Sequence, residues 1–120
     1  MKTAVSLMSG AMLLAGLTHA SAASLAGKYQ AAGTNLDGSP YTGTAEITAT
    51  SDTTCTISWQ TTANSKGICM RNGNSFAASY ALGGSIGLVV YQIKPDGTLE
   101  GLWTVAGQNG VGTEVLTPAK

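Results

Sequence analysis

From Tyr41 to Thr50 the chain alternates without a break. Tyr41, Gly43, Ala45, Ile47 and Ala49 occupy one phase, and Thr42, Thr44, Glu46, Thr48 and Thr50 the other. A period of two sends these sets to opposite faces of a strand. The same signature recurs at Leu25–Ala32, Thr53–Gln60, Gly67–Arg71, Ser75–Leu82, Ile86–Ile93, Thr98–Val105 and Val111–Leu116. The connections between these stretches are too short for anything except antiparallel neighbours. Eight such strands in succession predict an all-β fold, a small eight-stranded antiparallel up-and-down barrel closed so that no edge remains unpaired. A two-sheet sandwich is the alternative.

Turn chemistry sets the registers. Asn72-Gly73 predicts a two-residue type I′ hairpin that pairs Arg71 with Asn74 and Cys69 with Phe76. Lys94-Pro95-Asp96-Gly97 predicts a type I turn with Gly97 in the left-handed position, so that Lys94 faces Thr98, Tyr91 faces Gly101 and Val89 faces Trp103. A polar turn at Thr61–Lys66 brings Cys69 opposite Cys55. The inward face is then Tyr29, Ala45, Ile47, Cys55, Ile57, Trp59, Cys69, Phe76, Tyr80, Val89, Tyr91, Leu99, Trp103 and Val111. The same registers turn Ile68, Met70, Leu88, Val90 and Leu102 outward, an apolar stripe suited to a partner, a second copy in a homo-oligomer, or a covering terminal segment.

The chain opens with a short positive region at Lys2, an apolar run Ala4–Leu17 and a small-x-small site at Ala20-Ser21-Ala22. This reads as a signal peptide over residues 1–22, leaving 23–120 as a single β-barrel domain in the periplasm or outside the cell. The run is too short for a membrane span. Six basic and six acidic side chains balance to zero without a basic cluster, so neither nucleic acid nor an anionic membrane is indicated. In an exported chain the two cysteines, Cys55 and Cys69, are expected to be bridged. A loop of about 15 residues closed in this way contributes roughly 3 kcal/mol.

The stretches GKY, GTNLDGSPYTGTAEIT, CTISW, GICMRNGN, VVY, DGTLEGLWT and GTEVLTP, read together, resemble a family of small exported bacterial proteins labelled fibronectin-binding proteins. The likeness spans nearly the whole of 23–120 and implies an adhesion role, with no catalytic or binding residue carried over. The pairs Gly27-Lys28-Tyr29 and Gly101-Leu102-Trp103 are also similar to avidin- and lipocalin-type barrels, which implies a small-ligand carrier.

Candidate chemistry is sparse. Gly83-Gly84-Ser85-Ile86-Gly87 fits the G-x-S-x-G pattern, but that elbow needs a strand-to-helix turn and a histidine. His19, the single histidine, lies in the leader. Asp37-Gly38 and Asp96-Gly97 read as turn formers rather than calcium ligands. Glu46 and Glu100 face outward on different strands. Trp59 and Trp103 are assigned to the core. No metal, cofactor or catalytic residue is implied, and an enzyme is disfavoured. The expected function is binding of an unknown protein or small ligand. It would act through the outer stripe or through the longer loops at one barrel end, where Asn35, Asp37, Asn64, Lys66, Gln108 and Asn109 would gather.

Overall fold

The computed structural model describes residues 21–120. The apolar run Ala4–Leu17 and His19, expected to belong to a signal peptide over residues 1–22, fall outside the described residues. The strands are β1 Gly27–Thr34, β2 Pro40–Ala49, β3 Thr54–Gln60, β4 Asn64–Asn72, β5 Ser75–Leu82, β6 Ser85–Ile93, β7 Leu99–Val105 and β8 Gly112–Pro118. Each pairs antiparallel with the next, and β8 returns to β1, for example through Gly33 opposite Glu114. The result is a closed eight-stranded up-and-down barrel. Closure satisfies every strand edge, and alternation divides each strand between core and solvent.

The predicted pairings Cys55–Cys69, Tyr91–Gly101 and Val89–Trp103 are present. Cys55 and Cys69 form a disulfide across β3 and β4 with their Cα atoms 4.9 Å apart. The β4–β5 register differs from expectation. Asn72 pairs with Ser75, Arg71 with Phe76 and Cys69 with Ala78, which makes Gly73-Asn74 the turn. A type I′ turn on Asn72-Gly73 needs positive φ at Asn72, and no non-glycine residue adopts one. Gly73, at φ +63°, instead takes the first central position, where a type II′ turn requires glycine. Cys69 and Phe76 still share the inner face. The polar turn after β3 is also shorter than expected, because Asn64, Ser65 and Lys66 already belong to β4.

The inner face matches the expected set at every position but one. Phe76, Tyr91, Leu99, Ile47, Ile57 and Val89 are buried, and Tyr80 and Trp103 are half-buried. Val111 is exposed, and β8 sends Gly112, Glu114 and Leu116 inward instead. Val111, Thr113 and Val115 alternate as plausibly as Gly112, Glu114 and Leu116, and burying Leu116 completely decides the phase. That choice carries Glu114 into the barrel.

The connections at the two ends differ in kind. Residues 50–53, Gly73-Asn74 and 94–98 close the lower end, beneath which lies a single 3₁₀ turn, Ala22–Leu25. Ala22 and Leu25 are buried there. The Ala22 N–H donates to Asp52 O at 2.8 Å, and the Tyr29 hydroxyl donates to Leu25 O at 2.6 Å. Arg71 clamps the segment: its Nη1 donates to Ser21 O (3.1 Å) and Ser24 Oγ (2.7 Å), and its Nε to Gly73 O. At the lower rim the Ala22–Leu25 segment is thus the partner of Arg71. Phe76 and Tyr91 stack just above, with ring centroids 5.6 Å apart.

Outside, Met70, Ala77, Val90 and Leu102 form one row across β4–β7, flanked by Ile68 and Leu88. Ile68, Met70, Leu88, Val90 and Leu102 are all exposed.

Candidate functional site

In the upper half of the barrel the side chains stop short of filling the interior. A cavity of about 90 Å³ remains, walled by Tyr41, Trp59, Tyr80, Val89, Tyr91 and Trp103, with Glu114 among its lining residues and Asn35 and Thr61–Ala63 at its outer edge. Cross-strand glycines make room for the aromatic walls. Tyr80 lies over Gly87, where a Cβ would meet the ring at 2.1 Å. Trp103 lies over Gly112, where a Cβ would come within 2.3 Å of the indole. The rings therefore lean across the neighbouring strand and stand around the space. Trp59 and Tyr80 meet edge to face at 5.1 Å, and Tyr41 and Trp103 at 6.3 Å.

Glu114 ties these walls together. Its Oε1 accepts from the Tyr41 hydroxyl at 2.7 Å, and its Oε2 from Trp59 Nε1 at 2.9 Å and the Tyr91 hydroxyl at 2.5 Å. The side chain is 5% exposed, the only buried charged residue among those described. Burying a carboxylate is costly unless donors replace its water. Three donors do so here, arriving from β2, β3 and β6. A carboxylate offers about four acceptor positions, so Oε1 keeps capacity for one more donor.

The electrostatic consequence falls on the phenols. Burial first, and then the Glu114 charge and hydrogen bond, hold the Tyr91 and Tyr41 hydroxyls well above the usual phenol range. Burial and the same charge push Tyr80 up to about 12. All three stay protonated at neutral pH and act as donors, not bases. No Lys or Arg lines the cavity.

Of the expected loop-end residues, Asn35 borders the cavity, and Asn35, Asp37 and Gln108 share a shallow groove beside it with Trp103. Asn109 lies in the β7–β8 connection at the same end. Asn64 opens β4 there, whereas Lys66 is not a loop residue: strand alternation places it on the outer wall. The Asp37 carboxylate is occupied as a turn former, accepting from the Ser39 N–H and hydroxyl. Asp96 does the same with Thr98 at the lower end. Gly83 and Gly84 form a β-hairpin turn with positive φ, not a nucleophile elbow. Trp59 and Trp103 were assigned to the core; Trp59 is buried, Trp103 is half-buried, and both face the cavity. Glu114 was missed altogether. One signal pointed to it: Trp59 and Tyr91 on an inner face need buried acceptors, and the side chains of the expected face offered only phenol oxygens.

No protein-family model matches the chain, and no curated protein matches it in sequence. Solved structures do. A redesigned β-barrel matches with TM-score 0.74 at 18% identity, over 86% of this chain and 98% of that one. A fatty acid transporter matches with TM-score 0.53 at 18% identity, over 82% and 98% of the two chains. A mutant of the fluorescent protein UnaG matches with TM-score 0.51 at 13% identity, over 79% and 96%. Such identities speak to fold alone. The shape is coarsely that of avidin- and lipocalin-type barrels, and none of these comparisons supports membership of the fibronectin-binding family.

Proposed function

We propose that this protein is an exported, non-catalytic carrier that holds a small ligand in the aromatic cavity at the upper end of its barrel. The observation that carries this reading is the unfilled space itself. An eight-stranded barrel can be packed solid by side chains, yet here large aromatic rings stand around about 90 Å³ with their polar atoms engaged at the edges. Concave, largely apolar sites with a few fixed polar groups are the usual form of ligand pockets. A fatty acid transporter among the structures of similar fold lends the same reading support. The adhesion role expected from the sequence then gives way to ligand carriage, with the mouth groove at Asn35, Asp37 and Gln108 gating access.

Both tryptophans of the chain line the cavity, so any occupant changes their emission. Titration with a panel of small neutral, cationic and anionic compounds should give a saturable change in indole fluorescence. Native mass spectrometry should show a matching non-covalent adduct. A flat response across the panel, with no adduct, would sink the carrier reading.

Export is supported by the Cys55–Cys69 disulfide. We set the end of the leader before Ser21, because Ser21 and Ala22 belong to the plug of the lower end. The mass of the processed chain checks this: it should retain Ser21 and Ala22 and not begin at Ala23.

A further inference from the structure

Building on the carrier reading, we infer that the ligand is a small organic cation, an alkylammonium or similar group whose charged head sits against Glu114 between the two aromatic pairs. Three features of the cavity converge on this class. The first is charge. One buried carboxylate lies in the lining and no cationic side chain accompanies it. Other ionisable groups of the upper end do not offset it: Asp37 is itself acidic and turned to Ser39, and Lys66 projects from the outer wall. The tyrosines facing Glu114, namely Tyr41, Tyr80 and Tyr91, are neutral donors.

The second feature is the wall. Tyr41 with Trp103, and Trp59 with Tyr80, are two edge-to-face pairs lining one space. The faces of tryptophan and tyrosine attract a cation within about 6 Å, most strongly when it is desolvated. The third is the remaining acceptor position on Glu114 Oε1, which suits an N–H donor and has nothing to offer a carboxylate. A fatty acid headgroup placed here would bury a second negative charge beside the first. Size limits the ligand further. The space is smaller than the ~150 Å³ apolar cavity known to admit benzene, so the head and a short stem fit inside and any longer chain leaves by the mouth at Asn35 and Thr61–Ala63.

The test uses three ligands of one shape and different charge, n-butylammonium, n-butanol and butyrate, followed by indole fluorescence and by NMR shifts of the full exported chain at neutral pH. Butylammonium should bind at least tenfold more tightly than butanol, with butyrate weakest. In E114Q the preference for ammonium over butanol should disappear. Because Gln presents an NH₂ to groups that are themselves donors, E114Q has a fold of its own to lose, so W103L supplies a second arm. There ammonium affinity should fall several-fold and butanol affinity less. Butyrate binding as tightly as butylammonium in the unaltered protein would overturn the cation class while leaving the carrier reading intact. Saturable binding of all three with equal affinity would do the same. Absence of binding by the whole series, with no adduct to any compound of the wider panel, would remove both.

Discussion

At the lower end of the barrel Phe76, Leu99 and Leu116 are wholly buried above the Ala22–Leu25 turn, and Arg71 ties that turn in place. At the upper end Trp59, Tyr80 and Trp103 stand around a cavity and are held apart by hydrogen bonds and cross-strand glycines. The same eight strands run through both ends. The lower end uses aliphatic and aromatic side chains to exclude water, as a small domain must. The upper end uses larger rings to enclose space, and it buries a carboxylate to orient them. Packing for stability and packing around a vacancy are thus separated along the barrel axis.

The sharpest way to break this contrast is truncation at either end. F76A should cost about 3–5 kcal/mol, as large-to-small changes in a filled core do, whereas W103L, at a half-buried position beside space, should cost clearly less. Denaturant midpoints at unchanged slope measure both. Equal losses would mean that the upper end is core in the ordinary sense. Next in size is the Cys55–Cys69 bridge, which lies towards the lower end and closes a sequence separation of 14 residues. C69A should lose roughly 3 kcal/mol and leave ligand binding at the far end in place.

A third test reads the tyrosines. All four in the chain, Tyr29, Tyr41, Tyr80 and Tyr91, have hydroxyls raised above the ordinary phenol range, burial being the first cause in each. The unfolded chain begins to ionise near pH 10, while Tyr80 holds its proton up to about 12. The unfolded state therefore binds fewer protons in that window, and stability falls as pH rises from about 10. Below pH 10 this contribution is fully present. Phenolate absorbance should stay low at pH 10 and then appear together with unfolding. A normal titration of Tyr41, Tyr80 or Tyr91 at pH 10 in folded protein would contradict the geometry around Glu114.

Those tyrosines also mark where the sequence could be read and where it could not. Strand number, barrel closure and the disulfide were legible because alternation from Tyr41 to Thr50 and from Cys55 to Trp59 is unbroken, and because each connection is too short for another topology. The turn at Gly73-Asn74 was not, since Asn72-Gly73 offers an equally familiar signal and only backbone φ separates them. Glu114 was the costliest omission. β8 has two equivalent phases, and a lone glutamate reads as solvent-facing until Tyr41, Trp59 and Tyr91 are brought from three other strands to meet it. That convergence is a property of the closed barrel, absent from any one stretch of chain.

The smallest effect is expected on the outer wall. Leu88 and Val90 are exposed, so replacing both by Thr should move monomer stability by no more than about 0.5 kcal/mol. Loss of several kcal/mol would mean that the stripe is covered in solution. A fall in self-association at unchanged stability would identify a second copy as its cover.

The central claim, that the upper end keeps space for a ligand, is tested most directly by filling it. Ser65 is half-buried on β4 and borders the cavity. In S65F a ring should occupy the vacancy, and binding of n-butylammonium, followed by NMR, should be abolished while the melting temperature holds or rises. A fall in melting temperature matching the ~1–3 kcal/mol of an overpacked core, with ligand binding undiminished, would contradict it.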